Sequence, residues 1–145
     1  MTQSYDFAQA PGHLIRRAQQ IAVSVFAEHL AVFDVTPVQF AILNALIDTP
    51  GTDQVTLAAR VALDAATSGS VIGRLEAKGW VRREPSPRDR RRKLLWLTAQ
   101  GQKAVIAMAP LVTQVQSLIL QPLQAQEQQQ LMDLLAKLVH AQDGS

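Results

Sequence analysis

Apolar residues recur every three or four positions along most of this chain, which is the spacing of one face of a helix. One such stripe covers residues 11–33, and two more follow Thr98. Residues 80–84 and 93–97 differ, because they are short runs rich in extended-chain formers with a proline-containing loop between them. The pattern therefore predicts a mainly α protein with one small β-hairpin.

Capping residues mark where the second helix starts. Thr36 precedes Pro37, and Gln39 lies three positions after Thr36, which matches a capping box with proline at the first helical position. This helix is expected to begin at Pro37 and to end before the turn indicated by Pro50 and Gly51.

Two short helices are predicted next. Thr56 is the expected cap of the first, over residues 57–61, and Asp64 is the expected cap of the second. Gly79 suits the left-handed position after a helix, and Thr98 is the expected cap of the helix that follows the hairpin. A helix-turn-helix pair followed by a hairpin is a winged helix-turn-helix, here flanked by long helices on both sides.

Composition excludes several classes of function. The chain has no cysteine, which excludes disulfides, thiolate metal sites and thiol-based redox sensing. Its three histidines lie far apart, and no motif of a hydrolase, phosphate-binding loop or metalloprotease is present, so we expect neither an enzyme nor a metal or other cofactor. No apolar run is long enough to span a membrane and the N-terminus lacks a signal-peptide layout, which predicts a cytoplasmic protein.

Charge is concentrated in the hairpin. Between Trp80 and Thr98 there are seven Lys or Arg and two acids, a local net charge of +5, whereas the rest of the chain carries −3. A concentrated basic patch favours a polyanionic partner, because it releases counterions condensed on phosphates. A solvated basic loop remains the alternative on charge alone.

The helix after Asp64 has the pattern of a recognition helix in the major groove. One side carries Val71, Ile72 and Leu75, which are expected to face the core. A separate arc carries hydroxyl and cationic side chains that suit base edges or phosphates, namely Thr67, Ser70, Arg74 and Lys78. Gly69 and Gly73 lower helix propensity, which is explained either by close approach to DNA or by tight packing on the preceding helix.

Alternation along the second strand divides the hairpin between two roles. Leu95 and Leu97 are expected to face the core, while the arginines at the tip reach the DNA backbone or the minor groove. These tip residues are Arg88, Arg90, Arg91 and Arg92. Asp89 among them is expected to hold one arginine through a bidentate pair, which a purely electrostatic tail would not need.

These motifs resemble the MarR (multiple antibiotic resistance regulator) family over nearly the whole chain. The segment DRRRKLLWLT fits the family's wing pattern D-x-R-x-x-x-x-x-L-T, and RLEAKGWVRR is similar to its recognition helix and wing entry. The resemblance implies that Arg91 enters the minor groove and that Asp89 braces it. It also implies a set of major-groove readers, namely Thr67, Ser68, Ser70 and Arg74.

The resemblance further implies a homodimer made by the flanking helices. Residues 1–145 would then be a single domain, with a winged helix-turn-helix core at 37–98 and dimerisation helices at 11–34 and 99–141. A core of this size cannot cover the apolar faces of three long helices, which supports the same conclusion independently. Two-fold symmetry predicts a pseudo-palindromic double-stranded operator with half-sites about 34–36 Å apart.

The segment PGHLIRRAQQ resembles regulators of the breakdown of aromatic acids or their coenzyme A thioesters. His13, Arg16 and Arg17 would then hold the anionic group of a small effector that releases a repressor from DNA. The alternative is that these residues are solvated or make dimer contacts. A second reading of the whole chain is a winged-helix or architectural DNA binder that takes no ligand and acts through protein contacts.

Overall fold

The computed structural model describes residues 4–143, and its elements follow the expected order. They are a 3-10 turn Phe7–Gln9, helix α1 Pro11–His29, a 3-10 turn Ala31–Phe33, helices α2 Pro37–Asp48, α3 Gln54–Arg60 and α4 Ala65–Ala77, strands β1 Val81–Pro85 and β2 Lys93–Leu97, and helices α5 Ala99–Leu120 and α6 Ala125–Asp143. The mainly α fold with a β-hairpin wing is confirmed.

The caps predicted for α2, α4 and α5 are confirmed. Thr36 and Gln39 form the complete capping box of α2, since the Gln39 N–H donates to Thr36 Oγ1 at 3.1 Å and the Thr36 N–H donates to Gln39 Oε1 at 3.0 Å. Asp64 caps α4, and Thr98 caps α5 by accepting the Gly101 N–H at 3.0 Å. Local capping chemistry therefore sets these three helix starts.

The cap predicted for α3 was wrong. The carboxylate of Asp53 accepts the Thr56 N–H at 2.8 Å, so the helix begins at Gln54 rather than at Leu57. Thr56 thus occupies the third helical position and donates to the cap. A carboxylate is the stronger acceptor and also interacts favourably with the positive end of the helix dipole, which explains why the earlier residue caps the helix.

One hydrophobic core joins the winged helix to α1 and α5. Its fully buried apolar side chains come from five elements and the turn after α1, namely Leu30, Ile42, Leu43, Leu46, Leu57, Ile72, Leu75, Leu95, Met108 and Val115. Helix α5 is long and apolar enough to cross a membrane, and it contributes Ala104, Val105, Met108 and Val115 to this core. The recognition helix and the wing therefore sit on a shared, fixed base.

The wing is a two-stranded antiparallel sheet in which Val81 pairs with Leu97 and Arg83 pairs with Leu95. Leu95 is fully buried and Leu97 is partly buried against the core, as the alternation predicted. The loop before α3 extends the sheet, because the Gly51 N–H donates to the Leu95 carbonyl at 2.8 Å and the Leu95 N–H donates to the Thr52 carbonyl at 2.9 Å. Strand β2 is therefore hydrogen-bonded along both of its edges, to β1 on one side and to this loop on the other.

Helix α6 packs differently from the other long helices. None of its 19 residues is buried, although it carries a stripe of large apolar side chains. The exposed members are Met132, Leu134, Leu135, Leu138 and Val139. Exposed residues of the same kind lie on α1, where Leu14, Ile15 and Ile21 are each about half exposed. A single chain therefore leaves these apolar faces uncovered.

Candidate nucleic-acid interface

The first turn of α4 is held by its capping carboxylate. Asp64 Oδ1 accepts the Thr67 N–H at 2.7 Å, and Asp64 Oδ2 accepts the Thr67 hydroxyl at 3.0 Å. These hydrogen bonds from Thr67, the backbone one first, lower the pKa of Asp64. Thr67 remains exposed, and the hydrogen bond to Asp64 fixes the orientation of its hydroxyl group.

The exposed arc of α4 contains three of the four residues expected to read the major groove. Thr67, Ser70 and Arg74 are exposed, whereas Ile72 and Leu75 are fully buried on the core side. The structure thus separates the two faces as the helical periodicity predicted.

Ser68 departs from this expectation. It is buried, and its hydroxyl donates to the carbonyl of Ala65 at 2.9 Å within the same helix. Its position, one residue on from Thr67, turns it by about 100° towards the core. Ser68 is therefore not available to contact a base edge, and its hydroxyl instead provides a hydrogen-bond donor for a backbone carbonyl of α4.

Lys78 is also absent from the arc on which its spacing placed it. Its Nζ donates to the carbonyl of Phe33 at 2.9 Å and to that of Asp34, and it lies 4.7 Å from the centre of the Trp80 ring. These partners tie the end of α4 to the turn after α1. Lys78 thus positions the recognition helix and is not part of its exposed arc.

The glycines of α4 are not explained by packing within the chain. A Cβ at Gly73 would meet nothing within 4 Å, and one at Gly69 would meet only the amide nitrogen of Gln54, at 3.7 Å. Of the two explanations that the sequence left open, tight packing on the preceding helix is therefore not supported. This flank of α4 has room for the close approach of another molecule.

The base of the wing is fixed by an aromatic side chain. The Trp96 indole covers Gly51, which has a φ of +81°, and a Cβ at Gly51 would lie 2.7 Å from Trp96 Cη2. The Arg82 guanidinium lies over the same ring, 5.9 Å from its centre. Glycine is therefore required at position 51 for two reasons: the backbone is left-handed, and a side chain would collide with the Trp96 ring.

At the wing tip, Asp89 holds Arg91 as expected, but not through a bidentate pair. Asp89 Oδ1 accepts both the Arg91 backbone N–H at 3.1 Å and the Arg91 Nε–H at 3.2 Å. The backbone bond to residue i+2 is the geometry of an Asx turn, which directs the carboxylate along the chain. The Arg91 side chain lowers the pKa of Asp89, so the brace is ionised at neutral pH.

The basic residues of this face divide into two groups. Arg82, Arg83, Arg91 and Arg92 each have an acidic partner, in Glu84, Glu76, Asp89 and Asp53 respectively. Within residues 4–143, the remaining basic side chains of α4 and the wing form no ion pair, and they are Arg74, Arg88, Arg90 and Lys93. Four cations of α4 and the wing are therefore free to meet an external anion.

A cavity of about 460 Å³ lies between α3, the start of α4 and the wing, which places these elements on one face. Its lining residues are Asp53, Gln54, Val55, Ala58, Ala59, Leu63, Ala65, Ser68, Arg91, Arg92 and Lys93. The sequence did not predict this grouping, because it brings together residues up to 40 positions apart. Even a correct prediction of Asp53 as the cap of α3 would have identified only one of the residues that line the cavity.

The residues proposed to bind a ligand lie on α1, and none of them lines this cavity. His13 Nδ1 lies 3.1 Å from an Arg16 terminal nitrogen, and the His13 ring is 5.1 Å from that of Phe7. Arg17 instead donates to Gln20. The structure thus brings His13 and Arg16 together, while Arg17 points to a different partner.

Comparisons with known proteins agree with this architecture. The model of the MarR family matches residues 33–92. The transcriptional regulator HosA of Escherichia coli O111:H- is 36% identical over 122 residues, which are 81% of this chain and 90% of HosA. The transcriptional repressor NicR of Pseudomonas putida is 32% identical over 141 residues, which are 97% of this chain and 89% of NicR.

Solved structures give the same picture. BpsR of Bordetella bronchiseptica, solved to explain how 6-hydroxynicotinic acid regulates its DNA binding, has a TM-score of 0.87 at 33% identity, covering 94% of this chain and 98% of BpsR. A mutant MarR of E. coli in complex with operator DNA has a TM-score of 0.84 at 29% identity, covering 93% of this chain and 99% of MarR. By sequence and by fold, over most of its length, this chain belongs to the MarR family of transcriptional regulators.

Proposed function

We propose that this protein is a repressor that binds a pseudo-palindromic operator as a homodimer. Thr67, Ser70 and Arg74 of α4 read the major groove, and Arg91 at the wing tip enters the minor groove. The observation that carries this proposal is the cavity lined jointly by the start of α4 and by Arg91 to Lys93, because it brings the first turn of α4, where the polar arc begins, next to the wing.

Phosphate contacts come from the cations that have no ion pair. Arg88, Arg90 and Lys93 surround Arg91 on and beside the tip, and together they supply a positive field with few acids to oppose it. Such contacts orient a protein on the duplex, whereas base contacts from α4 provide sequence preference.

A homodimer covers the apolar stripes that the single chain leaves open. Helix α6 has no buried residue, and α1 presents further large apolar side chains on its exposed surface. Burial of such stripes against a second copy removes this apolar area from water. Two recognition helices then address half-sites about 34–36 Å apart, one turn of the duplex.

The effector that we propose is a small anionic aromatic compound, either an aromatic acid or its coenzyme A thioester. His13, Arg16 and Arg17 supply one ring and two guanidiniums near the start of α1, and BpsR, which has a similar structure, responds to 6-hydroxynicotinic acid. We expect the effector to bind better to a dimer whose recognition helices are not spaced to fit the two half-sites. The effector then weakens DNA binding by the same factor by which DNA weakens effector binding.

Selection from a pool of randomised duplexes tests DNA recognition. We expect the protein to enrich a two-fold symmetric sequence, and a lack of any enriched sequence would contradict sequence-specific binding. Repression itself is checked by expression of a reporter placed behind the selected sequence, which the protein should lower. The name of NicR as a repressor supports this direction of control.

A thermal-shift screen against aromatic acids and their thioesters tests the effector. A ligand at 100 times its dissociation constant stabilises the protein by about 2.7 kcal/mol. We expect this shift to be lost in Arg16→Ala, whereas Lys137→Ala on α6 serves as a control of equal charge change. If no compound in the panel shifts the melting temperature, the alternative of a winged-helix protein that acts without a ligand, through protein contacts, is the better reading.

A further inference from the structure

Asp53 lies where α3 and the wing meet. One carboxylate oxygen, Oδ1, accepts the Thr56 N–H at 2.8 Å and caps α3, while the other, Oδ2, accepts a hydrogen bond from the Arg92 guanidinium. The backbone of Asp53 also forms an isolated antiparallel bridge with Leu94. The Asp53 side chain is only 10% exposed, so this carboxylate is committed to its two partners.

Arg92 in turn closes the loop at the wing tip. Its N–H donates to the Asp89 carbonyl at 2.9 Å, and its carbonyl accepts the Ser86 N–H at 2.8 Å. The residues between these two hydrogen bonds include Asp89 and Arg91, the braced pair. A side chain that anchors Arg92 therefore anchors the segment that carries Arg91.

We propose that Asp53 and Arg92 form a wing latch, in which Arg92 serves as a positioning residue for Arg91 rather than as a contact to phosphate. The charge of Arg92 is already matched by Asp53, whereas Arg88 and Arg90 have no acidic partner in the described chain. The latch joins the tip loop to the N-cap residue of α3, 39 positions earlier. It rests on the proposed binding of DNA by this face.

The competing account is that Arg92 is one more cation for the phosphate backbone. The two accounts predict opposite changes in DNA affinity for one substitution. Asp53→Asn removes a negative charge from the DNA-binding face, which by net charge alone should tighten binding. Under the latch, it should weaken binding, because an asparagine still caps α3 but its amide group no longer holds the guanidinium.

The test measures affinity for a duplex selected by the wild-type protein, over a series of salt concentrations. We expect Asp53→Asn and Arg92→Gln each to weaken binding about tenfold, the loss of one charge-assisted hydrogen bond, and the double variant to be no weaker than either. Arg90→Gln is the matched control, and it should lower the slope of log affinity against log salt by about one. Arg92→Gln should leave that slope unchanged.

Three results of the DNA titrations would overturn the latch: tighter binding by Asp53→Asn, additive losses near a hundredfold in the double variant, or a slope change in Arg92→Gln equal to that in Arg90→Gln. A measurement without DNA separates this failure from a failure of the proposed function. In Asp53→Asn, amide hydrogen exchange of Ser86 and Arg92 should become faster, because both N–H groups belong to the loop that the latch closes. Unchanged exchange would contradict the proposal, whatever the protein does with DNA.

Discussion

A single carboxylate oxygen of Asp89 accepts two hydrogen bonds from Arg91, one from the backbone N–H and one from the side-chain Nε–H. The Arg91 side chain is 92% exposed, so this arrangement orders a guanidinium that is otherwise surrounded by solvent. An ordered arginine loses less side-chain entropy when it enters a groove than a free one does.

The contact between Asp89 and Arg91 predicts that charge and geometry have opposite effects on operator affinity. Arg91→Ala should weaken operator binding roughly tenfold to hundredfold, as expected for one lost groove contact. Asp89→Ala should also weaken it, by several-fold, although the variant gains positive charge. Titrations of labelled operator would show this, with Asp89→Asn as a control that keeps the Asx turn and loses the ionic bond. Tighter binding by Asp89→Ala would mean that net charge governs the wing.

The open flank of α4 predicts a trade between stability and DNA binding. Gly73→Ala should raise the free energy of unfolding by about 1 kcal/mol, because alanine has the higher helix propensity and a Cβ meets no neighbour. The same methyl group should weaken operator binding if DNA approaches this flank. Urea unfolding and operator titration measure the two effects separately. Equal operator affinity would show that the glycine serves neither packing nor DNA.

The exposed stripe of α6 predicts that one charge will disrupt the dimer. Leu134 is 65% exposed in the single chain, and Leu134→Glu places a carboxylate in the proposed interface twice, once from each copy. We expect sedimentation to show a shift from dimer to monomer. Val55→Glu is the control, since Val55 is equally apolar and 80% exposed but lies on α3. A Leu134→Glu variant that stays dimeric would exclude α6 from the interface.

The cap of α3 predicts a loss of stability in acid. The Thr56 N–H, followed by the Arg92 guanidinium, lowers the pKa of Asp53 from 3.8 to about 2. Because the folded pKa is depressed, the contribution of Asp53 is complete above pH 3.8 and is lost as pH falls towards 2. The difference in unfolding free energy between the wild type and Asp53→Asn should therefore shrink over this range. A constant difference would show that ionisation of Asp53 does not stabilise the fold.

Features that depend on neighbouring residues were accessible from sequence. The capping box of Thr36 and Gln39 spans three positions, and the brace of Asp89 and Arg91 spans two, so residue type and spacing determine them almost alone. The helical stripe of α4 likewise predicted the burial of Ile72 and Leu75. The cap of α3 was misplaced because Asp53 and Thr56 are both good capping residues, and pattern alone did not rank them.

The sequence by itself determined the order of elements, three of the four helix caps considered and the braced wing tip, because each rests on bonds within a few residues. Only the tertiary structure decided which charges are already neutralised. Lys78 and Arg92 look like DNA contacts in the sequence, yet they pair with the carboxylates of Asp34 and Asp53, which lie 44 and 39 residues away. Local spacing carries no information about such pairs, since chain folding alone brings them within hydrogen-bonding distance.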